Sequence, residues 1–196
     1  MGAGDKEDQI LVDLVLAGDS RAFEKLVEKY KKRIYYLAYR MTRDHDSADE
    51  LSQESFVKAY QAMSGFKRGY SFYTWIYRIC VNLTINFLKR ESQTVSVDFH
   101  DGSGDMFHGK DESNQLERMI ASEQAAIIKK TLSTLPADQK AVFVLKTYDD
   151  LSYEKIAEVM NCSIGTVMSR LFRARHKIRM AVMAADVQRD REDERM

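Results

Sequence analysis

Between Ile164 and Arg179 the sequence carries Thr166, Ser169, Arg170, Arg173 and Lys177 at helical spacing, and no acidic residue at all. At about 100° per residue these five project from one side of a helix, and the apolar stripe Ile164, Val167, Leu171, Ala174 and Ile178 forms the other. Short hydroxyls and guanidinium forks on an outward helix face can bond base edges and phosphates, which is the chemistry of a helix in the major groove of duplex DNA. A second cluster mixes rings with cations. Phe66, Tyr70, Phe72, Tyr73, Trp75 and Tyr77 interleave with Lys67, Arg68 and Arg78, and Lys89 and Arg90 follow. Rings stack on unpaired bases and cations offset phosphates, so this cluster fits single-stranded nucleic acid. Phe72 and Trp75 fit a buried core equally well.

These residues need elements to position them. Ahead of the cationic helix, Leu151, Ile156, Ala157 and Met160 share one side of a short helix, with Ser152 as N-cap and Glu154 in the first turn. Asn161-Cys-Ser163 breaks that pattern and Ser163 can cap the cationic helix, so the pair reads as a helix-turn-helix. The front of the chain reads as four helices, Glu7 to Leu16, Ser20 to Thr42, Ser47 to Met63 and Ser71 to Arg90. Ser47-Ala-Asp-Glu50 matches a capping box for the third. In that helix Ala48, Ser52, Phe56, Ala59 and Met63 form an inner face, leaving Glu50, Glu54 and Val57 outward. In the fourth, Ile76, Ile79, Cys80, Leu83 and Phe87 face a core, with Arg78, Asn82 and Lys89 roughly opposite. From Glu91 to Gln115 the texture turns to Ser, Asp and Gly without period, which reads as a flexible linker. A helix from about Leu116 to Ser133 and another from near Pro136 to Thr147 lead into the helix-turn-helix, and the charged tail after Ala185 should fray. The expected fold is all-α: one helical domain over 5–90, a linker over 91–115, and a second domain over 116–185.

Composition narrows the function classes. The 196 residues are 44% hydrophobic with a formal net charge of zero, so attraction to nucleic acid must come from local patches. No apolar run approaches the roughly 18 residues of a membrane span, and the N-terminus lacks a signal-peptide layout, so a cytoplasmic protein without membrane insertion is expected. Cys80 and Cys162 have no paired spacing for a disulfide framework or zinc site, and Cys80 falls on an apolar face. Gly104-Asp-Met-Phe-His-Gly-Lys-Asp111 approaches a phosphate-binding loop, but Asp111 stands where a Mg²⁺-ligating Ser or Thr is required. His100 and His108 lack a nearby Cys or third His to complete a ligand set, and His45 and His176 read as surface residues. No cofactor, metal or catalytic constellation is expected.

Taken in order, the motifs resemble bacterial sigma factors of the extracytoplasmic-function type, and the resemblance covers nearly the whole chain. The front block is similar to the promoter-melting domain in Ala22-Phe-Glu-Lys-Leu-Val-Glu-Lys-Tyr30, Ala48-Asp-Glu-Leu-Ser-Gln-Glu-Ser-Phe56, Phe72-Tyr-Thr-Trp-Ile-Tyr-Arg-Ile79 and Asn82-Leu83. The rear block is similar to the second DNA-binding domain in Leu135-Pro136, Val142-Phe-Val-Leu145, Leu151-Ser-Tyr-Glu-Lys-Ile-Ala157, Gly165-Thr-Val-Met-Ser-Arg170 and Arg173-Ala-Arg175. Two departures stand out: Met168 falls where the family often carries Arg or Lys, and Ser163 replaces a common proline.

The resemblance implies a non-catalytic protein that binds core RNA polymerase and places it on a promoter. By motif match, Ser169, Arg170, Phe172 and Arg173, with Thr166 and Lys177 beside them, would read the minus-35 element as duplex. Lys67, Arg68, Tyr70, Tyr73, Trp75, Arg78 and Asn82 would hold the minus-10 element as a single strand. Asp49, Glu50, Gln53 and Glu54 would meet a polymerase clamp. An anti-sigma partner and a monomeric free form are further implied. The alternative is a helix-turn-helix repressor or activator, which would dimerise on a palindrome and need no strand-binding block.

Overall fold

A computed structural model describes residues 3–67, 69–94 and 115–193. Among these, the secondary structure is entirely helical: α1 (Ala3–Leu16), α2 (Ser20–Thr42), α3 (His45–Gln61), a single 3-10 turn (Met63–Gly65), α4 (Phe72–Thr94), α5 (Gln115–Ser133), α6 (Ala137–Thr147), α7 (Tyr153–Met160) and α8 (Ile164–Asp193). Arg68, most of the linker with its phosphate-loop-like segment, His100 and His108 lie outside the described residues.

Several helix ends differ from the sequence expectation for local reasons. Helix α3 starts two residues before Ser47 because Asp44 is its cap: the Asp44 carboxylate accepts from the Ser47 amide at 2.7 Å. Hydrogen bonds from Ser47, first from its side chain and then from its amide, hold the carboxyl below its ordinary range. Helix α4 runs on through Glu91 to Thr94, inside the stretch read as linker, and α8 continues past Ala185 to Asp193. With neither Pro nor Gly in either extension, nothing in the sequence stops a helix there.

In the front half, α2, α3 and α4 bury Leu26, Ile34, Leu37, Met41, Leu51, Phe72, Ile76 and Val81 against each other. Helix α1 is fastened by Val12 and by the buried Asp8, whose carboxylate accepts from Lys29 Nζ at 2.6 Å and from the Tyr30 hydroxyl. In the rear half, α6 contributes Val142, Val144 and Leu145, α7 Ile156 and Val159, and α8 Val167 and Leu171. Leu132 and Leu135 join Ala174 in a smaller cluster that seats α5 on α8. The larger core is continuous across both halves, because α4 packs on α7 and α2 on α6.

The inner faces differ in detail from the sequence pattern. Helix α7 buries Val159 with Ile156, while Leu151, Ala157 and Met160 are half-buried; Ile164, assigned to the apolar stripe of α8, is exposed. Helix α4 centres its buried face on Ile76, Tyr77, Cys80, Val81 and Thr84, with Ile79, Leu83 and Phe87 only half-buried. A helix clamped between α2 and α7 buries more than one stripe.

Candidate nucleic-acid interface

The helix-turn-helix is set by three local devices. The Ser152 hydroxyl accepts from the Lys155 amide at 3.2 Å, starting α7. Asn161 ends it in the left-handed region at φ 49°, which Asn tolerates better than most residues. Ser163 then accepts from the Thr166 amide at 3.2 Å and starts α8.

Along α8 the predicted residues divide. Phe172, Arg173 and Lys177 are exposed, and Phe172 stacks on the exposed His176 with ring centroids 6.1 Å apart. The hydroxyls of Thr166 and Ser169 turn inward: Thr166 pairs with Ser163 at 2.9 Å, and Ser169 donates to the Thr166 carbonyl at 3.0 Å. Arg170 is partly drawn back, donating to Cys162 Sγ at 4.0 Å and lying 3.9 Å from Asp138. Lys177 donates to the Thr134 carbonyl at 2.8 Å, just past the end of α5. The free outer face is therefore Met168, Phe172, Arg173, Arg175, His176 and Arg179. Arg175, His176 and Arg179 were not among the predicted readers, although their spacing of three, four and seven from Phe172 carried the signal.

The front cluster divides too. Lys67, Tyr70 and Asn82 are exposed; Gly69, at φ 88°, turns the chain to present Tyr70, a conformation that glycine adopts without steric cost. Phe72 is core. Trp75 is half-buried, its ring edge-on to Phe66 at 4.9 Å and tilted against Phe72 at 5.9 Å. Tyr73 is half-buried as well, lying 4.2 Å from the Tyr77 ring, and burial pushes both phenols up so that they stay neutral.

Helix α7 covers the next turn of α4. Arg78 donates from Nε to the Glu158 carbonyl at 3.2 Å, with Nη2 on the same oxygen, and Lys155 reaches the Thr74 hydroxyl at 3.4 Å. Beside this contact lies a cleft of about 340 Å³ lined by Lys32, Arg33, Tyr36, Arg40, Tyr73 and Tyr77 of the front half and closed by Tyr148 and Asp149. Arg40 sits 3.3 Å from the Asp149 carboxylate and 4.8 Å over the Tyr148 ring. Burial raises the Asp149 carboxyl, while Arg40 and Arg33 pull it back.

The four α3 residues expected to meet a polymerase clamp lie on its outer side. Asp49, Glu50 and Gln53 are exposed, Gln53 donates to Asp49 at 2.9 Å, and Glu54 pairs with Lys58 at 3.3 Å. Cys80 is fully buried and its thiol is pushed up to about 11 by desolvation, so it has little thiolate character. Among the described residues no group of three His, Cys, Asp or Glu could hold a metal ion, and no helix is long and apolar enough to cross a membrane.

Comparison with known proteins matches this geometry. Residues 26–94 fit the Sigma-70 region 2 family and residues 125–178 fit Sigma-70, region 4. The RNA polymerase sigma-H factor of Pseudomonas aeruginosa is 39% identical over 182 residues, covering 90% of this chain and 94% of that one. The ECF RNA polymerase sigma-E factor of Escherichia coli K12 is 39% identical over 176 residues, covering 87% and 92%. Among solved structures, the sigma factor RpoE of Bartonella quintana, determined with the anti-sigma factor NepR, is 26% identical with a TM-score of 0.60, over 82% of this chain and 96% of that one. CnrH, determined with the cytosolic domain of CnrY, shares the fold at a TM-score of 0.64 and 24% identity, over 92% and 99%. A dimeric repressor has no use for the region 2 half. The chain belongs to the sigma-70 family, and within it to the extracytoplasmic-function sigma factors, which direct RNA polymerase to promoters.

Proposed function

We propose that the two halves divide promoter recognition. The rear domain, over 116–185, reads the minus-35 element as duplex through α8, with Arg173 and Phe172 foremost, Arg170 and Lys177 on one flank, and Thr166 and Ser169 closing the helix start. The front domain, over 5–90, opens the minus-10 element and holds it as a single strand with Lys67, Arg68, Tyr70, Tyr73, Trp75, Arg78 and Asn82. Asp49, Glu50, Gln53 and Glu54 dock on a polymerase clamp, and residues 91–115 span the enzyme between the two anchored domains. The chain does no catalysis, acts as a monomer in the cytoplasm, and is held in check by an anti-sigma factor, as the Bartonella relative is bound by NepR.

The observation that carries this reading is the outer face of α8, acid-free from Ile164 to Arg179, with exposed Phe172 and Arg173 on a capped, core-anchored helix. A zero net charge supports dependence on polymerase, because binding to DNA then rests on small patches that salt screens. The test is reconstitution with bacterial core polymerase and sequencing of the transcripts it starts. Start sites sharing two upstream elements are expected. A stable dimer in light scattering that binds a palindrome tightly without polymerase would refute the reading.

A further inference from the structure

A cleft of about 280 Å³ opens on one flank of α8, between Tyr153 of α7 and the side chains of Met168, Leu171 and Phe172. Its lining is more apolar than polar, and two of its walls stand well out of the protein: Met168 is 54% and Phe172 70% exposed. Apolar side chains exposed side by side, one turn apart, lose free energy in water and fit a partner that supplies apolar groups. Arg175 and Arg179 border the same cleft, Arg173 is exposed nearby, and there is no acidic residue on the helix from Ile164 to Arg179. That charge selects a polyanion as the occupant. A polyanion that offers an apolar group in a groove wide enough for a helix is duplex DNA, whose major groove exposes the 5-methyl group of thymine. Position matters as well. Met168 is the fifth residue of α8, near the end of a recognition helix that meets base edges.

We infer that Met168, backed by Phe172, reads thymine methyl groups in the minus-35 element, so that this chain selects by apolar contact at a position where a cation would select by hydrogen bonding. The inference rests on the assignment of α8 to that element. Arg and Lys at such a position favour the N7 and O6 acceptors of guanine, whereas a thioether has no proton to donate and is suited to a methyl group.

The experiment uses the holoenzyme and a promoter duplex mapped from its own transcripts, with each thymine of the minus-35 element replaced in turn by deoxyuridine. That change removes one methyl group and leaves every base hydrogen bond in place. Wild-type holoenzyme should bind about fourfold more weakly at one or two positions, the worth of one buried methyl group. Met168→Ala should bind the unmodified duplex more weakly and become indifferent to deoxyuridine at those positions, and Met168→Leu should keep the sensitivity. Wild-type indifference to every deoxyuridine, or sensitivity retained by Met168→Ala, overturns the inference. An Arg173→Ala holoenzyme separates the two levels. If it loses promoter affinity while deoxyuridine is silent, α8 reads the duplex but not through methyl groups. If it too is unaffected, the assignment of α8 falls, and the inference with it.

Discussion

The ammonium of Lys140 in α6 lies 3.2 Å from the carbonyl oxygen of Met41, in the last turn of α2 and 99 positions earlier in the chain. Lys140 is only 6% exposed, so a charged group is buried where the halves meet, against the negative end of a helix. Desolvation, with help from Arg43, pushes its pKa from 10.5 down to about 8, and Glu91 opposes this only in part. The packed state thus holds its proton less firmly than an exposed lysine would. Packing is penalised below pH 8, gains stability as pH rises from about 8 toward 10.5, and gains nothing further above that. In thermal melts, the stability of the wild type relative to Lys140→Met should rise across that window, by at most about 3 kcal/mol. A difference that is flat with pH, or falls, would contradict the burial.

The Arg78 guanidinium is likewise committed across the halves, to the Glu158 carbonyl, so a strand contact by Arg78 requires α7 to withdraw. Asp149 faces Arg40 in a cleft also lined by Lys32 and Arg33. Placing a cation there, as Asp149→Arg, sets like charges together and should loosen the contact. The free variant is expected to have a larger hydrodynamic radius and to bind short single-stranded DNA about tenfold more tightly than wild type, because more of it is binding-competent. An unchanged radius together with unchanged affinity would show that the contact does not restrict the strand-binding face.

Local signals made much of this fold legible. Ser152, Asn161 and Ser163 mark the helix-turn-helix by capping chemistry that depends on residues three or four apart. Period alone separated Val167, Leu171 and Ala174 from the exposed Arg173. What escaped was set over distance. Ile164 has an apolar side chain but sits exposed at the start of α8, while Val159, Tyr77 and Val81 are buried by packing between helices that lie far apart in the chain. Nothing in the local sequence marks Asp149 or Lys140 as a buried charge, because their partners lie about a hundred residues away. The capping box at Ser47 lost to Asp44 because both residues suit the role and Asp44 stands earlier.

Arg173 and Arg170 should behave differently. Arg173 is exposed, and Arg173→Ala should cost promoter binding about 1–3 kcal/mol with thermal stability unchanged. Arg170 also meets Asp138 and Cys162, so Arg170→Ala should lose promoter affinity and a few tenths of a kcal/mol of stability together. Parallel measurement of melting and of promoter affinity separates them. Unaltered affinity in both variants would remove α8 as the reader.

Tyr70 and Tyr73, both proposed to hold the minus-10 strand, differ in how far each is also committed to packing. Tyr70 is 67% exposed just after the Gly69 turn, so its ring is free to stack on an unpaired base. Tyr73 packs on Tyr77 at 4.2 Å and Tyr30 at 6.1 Å, and truncating it should cost on the order of 2 kcal/mol of stability. Tyr70→Ala should melt at the wild-type temperature, and its holoenzyme should bind duplex promoter normally. Opening should suffer by about 1–3 kcal/mol, the worth of one base–aromatic stack, read as reduced signal from a fluorescent base analogue in the minus-10 element. Tyr70→Phe keeps the ring and should restore opening, which separates stacking from a hydrogen bond by the hydroxyl. Full opening by Tyr70→Ala would leave the capture of bases to other residues of the front half, and a lowered melting temperature would mean that Tyr70 packs rather than waits.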